Sequence, residues 1–296
     1  MDRIPFTKLV GTGNDFVLVD TRHPGAPLRA GSWPRLARTL CDPKRGEGTD
    51  GLLVLGPSRR ADIRMRIFNP DGSEPTMCGN GIRCLAWYAH RVGAVPSTMT
   101  IETGSGIKRA RIEGRRRVRV NMGAPTFRRR LARFFRHGGR PVDADLVDSG
   151  VPHLVCWMPN VSRIDVDGLG RRLRRDARLG RGGANVDFVQ IVQARGAQAI
   201  LQMRTYERGV ERETQACGTG AVAAAAACVR RALFERPSHA PRRFSLDVRV
   251  PGGTLQVELT AHRGRGTRAV FGPAFLEGQV QPISTGVYTS NGRGLQ

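Results

Sequence analysis

Two stretches of the chain, 139 residues apart, follow one plan. Arg66-Ile-Phe-Asn69 leads to Cys78 after twelve positions, and Arg204-Thr-Tyr-Glu207 leads to Cys217 after thirteen. Glutamate stands four residues before each cysteine, as Glu74 and Glu213, and each cysteine is followed by Gly-x-Gly and an apolar stretch. Both halves continue into strand-like runs and a Gly-Ala-Pro or Gly-Pro-Ala turn at 123–125 and 272–274, while Asp15-Phe-Val and Asp187-Phe-Val mark a similar strand near each half's start. A duplicated unit of this kind predicts two like domains related by a pseudo-twofold axis, each a sheet wrapped around or packed on one principal helix. The loops that carry Cys78 and Cys217 are then expected to meet across an interdomain cleft, a common place for small-molecule sites. The expected fold class is therefore α/β (α+β). The expected domains are 1–125, into which a C-terminal strand can cross over, 126–274, and a flexible-ended C-terminal segment 275–296.

Local patterns agree with this plan. Asp15 to Asp20 and Ile63 to Phe68 read as strands, the second by alternation of Ile and Met with Arg. After Cys78-Gly-Asn-Gly81, Ile82, Leu85, Ala86, Ala89 and Val92 recur at helical spacing, with Arg83, His90 and Arg91 elsewhere on the wheel. A second helix is expected from Cys217-Gly-Thr-Gly220, and Ala221 to Val229, apolar on every side, suits a helix enclosed by other elements. Strands are expected at Met99 to Glu102, Val118 to Met122, Asn185 to Val192, Ala199 to Tyr206, Phe244 to Val250 and Thr254 to Leu259.

Composition narrows the function classes. No run of eighteen apolar residues occurs and the first residues lack an apolar signal stretch, so a cytoplasmic protein is expected. Six cysteines (41, 78, 84, 156, 217, 228) stand at irregular intervals without Cys-x-x-Cys, which indicates neither a disulfide framework nor a standard zinc site. The net charge of +23 comes from a basic set in which all but Lys8, Lys44 and Lys108 are arginine, a field that attracts polyanions. The arginines are scattered, with local enrichment at 127–140 and 168–181 but no repeated aromatic spacing, and these segments read as solvated faces or loops. A nucleic-acid-binding protein without catalysis stays open as a remote alternative.

The duplicated cysteines carry the sharper reading. A thiol at a helix N-terminus meets unpaired N–H groups and the positive end of the helix dipole, which lower its pKa and make it a usable base. The same N–H groups can hold a carboxylate and stabilise charge spreading onto it when the adjacent carbon loses a proton. With one cysteine on each face of that carbon, a thiolate removes hydrogen while the opposite thiol delivers another, and the centre inverts. A cysteine hydrolase needs one thiol with a histidine, and a redox dithiol usually shows close Cys-x-x-Cys spacing, so neither explains two equivalent cysteines. No Walker loop or Rossmann fingerprint occurs, since Gly11-Thr-Gly13 precedes a strand.

From Lys8 to about Ala274 the chain resembles diaminopimelate epimerase, through Gly13-Asn-Asp-Phe16, Phe68-Asn-x-Asp-Gly-Ser-Glu74, Cys78-Gly-Asn-Gly-x-Arg83, Pro152-His153, Asn185, and Tyr206-Glu-Arg-Gly209 through Glu213-Thr-x-x-Cys-Gly-Thr-Gly220. The resemblance implies that family's barrel-with-central-helix domains, no pyridoxal phosphate, no metal, a homodimer, and conversion of LL- to meso-diaminopimelate in lysine and peptidoglycan synthesis. It implies Cys217 as proton acceptor from the LL isomer and Cys78 as proton donor. The reacting carboxylate would sit on backbone groups at Gly79-Asn80 and Gly218-Thr219, with Glu207 near the amino group. Asn14, Asn69, Asn185 and Arg208 would hold the distal end, and His153 and Glu207 would tune the thiols. Gly51 stands where some members carry glutamine and Val151 where many carry asparagine, and the segment from Gly209 to Glu213 is one residue longer than a common form. Asn80 favours this type over the proline-racemase type, in which histidine follows Cys-Gly. A racemase or epimerase of another amino acid on the same fold is the nearest alternative.

Overall fold

The computed structural model describes residues 3–22, 33–235, 239–265 and 268–289. The chain divides into a unit of residues 1–120 with 278–296 and a unit of residues 121–277. Through Thr289 the segment from residue 275 belongs to one strand, whose later part pairs with the chain's first strand; its expected flexible end lies outside the described residues.

The first unit comprises β1 (Arg3–Gly11), β2 (Asn14–Asp20), α1 (Trp33–Leu40), β3 (Gly51–Gly56), β4 (Ile63–Phe68), α2 (Gly79–Arg91), β5 (Thr98–Thr103), β6 (Gly106–Glu113), β7 (Arg117–Gly123) and the later part of β16 (Ala269–Thr289). Its strands run in the order β1-β2-β3-β4-β5-β6-β7-β16, and pairing of β16 with β1 closes an eight-stranded barrel. The β2–β3 and β4–β5 pairs are parallel. Helix α2 packs against β1, β2, β3, β4 and β6. Ile82, Leu85, Ala86 and Ala89 are buried there as their spacing predicts. Arg83, expected off that face, is also fully buried. A helix enclosed by a barrel has no solvent side at its N-terminal turns, so the guanidinium finds its partners inside.

The second unit comprises β8 (Thr126–His137), β9 (Arg140–Asp148), β10 (Pro152–Trp157), α3 (Val166–Leu173), a 3-10 turn (Ala177–Leu179), β11 (Asn185–Arg195), β12 (Gln198–Glu207), β13 (Arg212–Thr214), α4 (Gly218–Glu235), β14 (Arg242–Val250), β15 (Gly253–Arg263) and the first part of β16. The sheet order is β8-β9-β10-β11-β12-β14-β15-β16, with β13 beside β12 and with β10–β11 and β12–β14 parallel. Helix α4 packs on β9, β10, β11, β14 and β15, and nearly all of Ala221 to Val229 is excluded from solvent. Among the described residues no helix is long and apolar enough to cross a membrane.

Two local expectations change. Gly272-Pro-Ala274 is strand within β16 and not a turn, because Ala274 keeps its place opposite Leu259 in the ladder. The basic segment 127–140 is mostly strand β8, with Arg130 and Arg128 on its solvated side paired to Asp143 and Asp148 of β9. The basic segment 168–181 is helix α3 and the 3-10 turn.

The repeat itself has a different register from the one the sequence suggests. In each unit a strand parallel to its predecessor turns into an antiparallel strand that leads to the cysteine: β2, β3, β4, α2 in the first and β10, β11, β12, α4 in the second. Phe16 lies beside Gly51 where His153 lies beside Asn185, and Leu53 pairs with Ile67 where Asp187 pairs with Thr205. Asp187 therefore corresponds to Leu53 and not to Asp15. The Asp-Phe-Val similarity reflects two strands of similar composition at non-equivalent places in the topology.

Candidate active site

Cys78 forms the N-cap of α2. Its backbone is extended and its sulfur accepts the Gly81 N–H at 3.3 Å, the position a serine or aspartate oxygen usually takes. Cys217 repeats this at α4, accepting the Gly220 N–H at 3.4 Å. Glycines occupy the helix turns because the interior approaches them closely: a Cβ on Gly220 would lie 2.6 Å from Asp187 Oδ1, and one on Gly81 2.9 Å from Leu53 Cδ2. Among the described residues no group of three or more His, Cys, Asp or Glu side chains could hold a metal ion.

Around Cys78 the first unit assembles a polar cluster. Asn80 Nδ2 donates to Asn14 Oδ1 at 2.6 Å, and Asn14 Nδ2 donates to Asp50 Oδ2 at 2.8 Å. Arg83 donates to Asn80 Oδ1 and Thr12 Oγ1, each at 2.8 Å, and to the Gly79 carbonyl at 2.9 Å. Burial pulls the Arg83 guanidinium down to about 10, with the Cys84 and Cys78 sulfurs opposing the shift. Asn69, at the end of β4, caps a turn by donating to Ser73 Oγ at 2.9 Å. Gly51 opens β3, and a Cβ there would stand 3.1 Å from the Phe68 carbonyl oxygen, a tight approach for any side chain.

Around Cys217 the second unit gathers His153, Asn185, Thr219 and Asp187. His153 is fully buried, with Nδ1 2.7 Å from Asp187 Oδ2 and Nε2 3.0 Å from Thr219 Oγ1. Thr219 Oγ1 lies 3.4 Å from Cys217 Sγ. Asn185 Nδ2 is 3.3 Å from His153 Nε2, and its Oδ1 accepts the Arg208 N–H at 2.7 Å. The Arg208 guanidinium donates to the Gly182 carbonyl at 3.3 Å. Ser149 Oγ donates to the Thr219 carbonyl at 2.8 Å, while Val151, in the same turn, contributes its carbonyl to Ser149 N. Before Cys217, Glu211 takes a left-handed conformation, φ 60°, with its carboxylate on Arg174, Tyr206 and the Gly209 N–H.

The electrostatics overturn one expectation. Burial, with Glu207 and Asp187 adding their charges, pushes the Cys217 thiol well up, against the opposing pull of the Thr219 hydroxyl and the Gly220 N–H. The helix terminus alone does not make a ready thiolate here, because desolvation of the sulfur outweighs one N–H and half a dipole. Asp187, Thr205, Ser149 and the burial of Arg83 were not foreseen as parts of the site. A lone aspartate in the apolar run Asn185-Val-Asp-Phe-Val was the available signal, since a carboxylate inside a strand of this kind needs a buried partner.

Residues 6–128 and 146–276 match the family model described as diaminopimelate epimerase. A diaminopimelate epimerase of Methanothrix thermoacetophila is 36% identical, with 97% of this chain and 96% of that protein covered. Among solved structures, a Bacillus anthracis phenazine biosynthesis protein of the PhzF family superposes with a TM-score of 0.70 at 14% identity, over 98% of this chain and 100% of that one. A hydroxyproline epimerase from Agrobacterium vitis superposes with a TM-score of 0.62 at 17% identity, over 97% and 92%. These two structures share the fold.

Proposed function

We propose, from the premise that the chain belongs to the diaminopimelate epimerase family, that it interconverts LL- and meso-diaminopimelate in lysine and peptidoglycan synthesis. Cys217 takes the α-proton of the LL isomer, and Cys78 delivers a proton to the opposite face of the same carbon. The reverse reaction exchanges these roles. N–H groups at Gly79-Asn80 and Gly218-Thr219 hold the carboxylate next to that carbon, where the two helix termini stabilise charge as the proton leaves. Glu207 stands by the reacting amino group. Asn14, Asn69, Asn185 and Arg208 bind the distal amino and carboxylate groups, for which amides and one guanidinium are suited donors and acceptors. His153 and Glu207 tune the thiols.

The observation that carries this reading is that each unit sets one thiol at the N-terminus of its enclosed helix, with a backbone N–H on the sulfur in both. We read the enzyme as a cytoplasmic homodimer, which sedimentation velocity would test. The test of function is α-proton exchange of LL-diaminopimelate in deuterated water, read by NMR and chiral analysis, with reduced wild type, Cys78→Ala and Cys217→Ala. Deuterium entering with formation of the meso isomer, and epimerisation lost in each variant, supports the reading. Absence of exchange in wild type, together with exchange on another amino acid, assigns the thiol pair to that substrate instead.

A further inference from the structure

Beneath the first turn of α4 the side chains of Cys217, Thr219, His153 and Asp187 form one hydrogen-bonded line with a defined direction. Asp187 Oδ1 accepts the Thr205 hydroxyl at 2.8 Å and Oδ2 faces His153 Nδ1 at 2.7 Å, and a carboxylate can only accept, so Nδ1 carries the ring hydrogen. Nε2 is then the ring nitrogen left to accept. Asn185 agrees with this: its oxygen is taken by the Arg208 N–H, which turns its NH₂ toward Nε2. Thr219 Oγ1, at 3.0 Å from Nε2, is the nearer of the two donors to that nitrogen, ahead of the Asn185 amide at 3.3 Å, and leaves its lone pairs to the Cys217 S–H at 3.4 Å.

The first unit shows that this line is not a requirement of the fold. At the topologically matching places it carries Phe16 for His153, Leu53 for Asp187 and Ile67 for Thr205, all buried. Asn80, the counterpart of Thr219, is turned to Asn14 and Arg83. A packing site that accepts three apolar side chains in one unit holds an imidazole, a carboxylate and a hydroxyl in the other. Burying such groups costs free energy unless they are mutually paired, and packing alone does not call for them.

We propose that the Thr219 hydroxyl passes the Cys217 proton to His153, with Asp187 as the positioning residue that fixes the imidazole tautomer and supports the imidazolium formed. In this step the S–H bond breaks as its proton joins Thr219 Oγ1, and the hydroxyl gives its own hydrogen to Nε2. A thiolate and an imidazolium result, and no electrons are transferred. The inference rests on Cys217 as the proton acceptor of the proposed reaction. It also answers a need of the site: with Glu207 of β12 and Asp187 of β11 facing it, buried Cys217 is held as a thiol.

The test measures alkylation of Cys217 by iodoacetamide, resolved by peptide mass spectrometry, across about pH 5 to 10 without substrate. Wild type is compared with Thr219→Val, Thr219→Ser and Asp187→Asn, all near-isosteric, with near-ultraviolet circular dichroism as the check on folding. Thr219→Val should slow alkylation at neutral pH by about tenfold or more, and Thr219→Ser should restore the rate. Asp187→Asn discriminates by sign. Loss of a nearby negative charge acting directly on the thiol would speed alkylation, whereas loss of support for the imidazolium slows it. Wild-type behaviour of Thr219→Val, or faster alkylation in Asp187→Asn, overturns the proposal. Turnover of diaminopimelate adds a second readout, in which Thr219→Val lowers kcat by about tenfold or more while KM, set by the retained backbone N–H, stays within roughly twofold. Because alkylation is read without substrate, a chain inactive on diaminopimelate can still show the relay, and an active one can lack it.

Discussion

Glu213 accepts two hydrogen bonds from Arg204, from Nε and Nη2, each at 2.7 Å, and so ties the stretch leading into Cys217 to strand β12. Arg66 and Glu74 make the same bidentate pair before Cys78, at 2.7 and 2.8 Å. The pairs differ in surroundings. Arg204 also donates to the Val161 and Ile164 carbonyls, whereas Arg66 lies over the Phe68 ring and its partner Glu74 is 42% exposed.

These surroundings set unequal costs for removing the two arginines. Arg204→Met strands a part-buried carboxylate and two carbonyls, and should lower stability by about 2 kcal/mol. Arg66→Met removes a solvent-screened pair and should cost about 0.5 kcal/mol. Urea unfolding of both variants measures the difference, and equal midpoints would contradict it.

Gly220 and Gly81 occupy the same helical turn but face different neighbours. In Gly220→Ala the methyl meets Asp187 Oδ1, which Thr205 and His153 hold in place, while in Gly81→Ala it meets the end of Leu53, a side chain with rotamer freedom. Gly220→Ala should therefore be costlier by about 1–2 kcal/mol, and it should slow Cys217 alkylation through the displaced histidine. Thermal unfolding and the thiol assay report the two effects separately.

Asp145 gives a pH dependence of uncommon sign. Burial pushes its carboxyl up, opposed by the Trp157 indole N–H at 2.7 Å and by Arg231 and Arg230. A carboxyl with a raised folded-state pKa binds its proton more tightly in the folded chain. Its contribution to stability is therefore full below the ordinary carboxylate range and declines as pH rises through the folded value. Asp145→Asn keeps an acceptor for Trp157 and should remove this part of the decline. Stability curves of the two proteins between about pH 4 and 8 should diverge at the upper end, with the variant the more stable there.

Much of the scaffold was legible from local pattern. Alternation over Ile63–Phe68, helical spacing after Cys78, and the all-apolar run after Cys217 each depend on neighbours within a few residues, and each element appears where expected. Asn14 and Asn80, named by resemblance, do touch, as do His153 and Asn185. The pairing of Asp15 with Asp187 in the repeat failed because composition alone cannot tell two strands of one sheet apart, and strand order depends on which edges meet through long loops. The turn expected at Gly272-Pro-Ala274 failed similarly, since a partner strand held those residues extended.

By itself the sequence determined which side chains recur: two cysteines, each with Gly-x-Gly after it and an Arg–Glu pair before it, on helices long enough to fill an enclosing sheet. It determined this because helix starts and glycine turns follow from short-range sterics and hydrogen bonding. Only the tertiary structure decided that the two thiols have unlike environments. Whether the glycine three residues after each cysteine faces Leu53 or the Asp187 carboxylate is set by strand register across residues far apart in the chain. The resulting desolvation and charge, not the local motif, direct the proton affinity of Cys217.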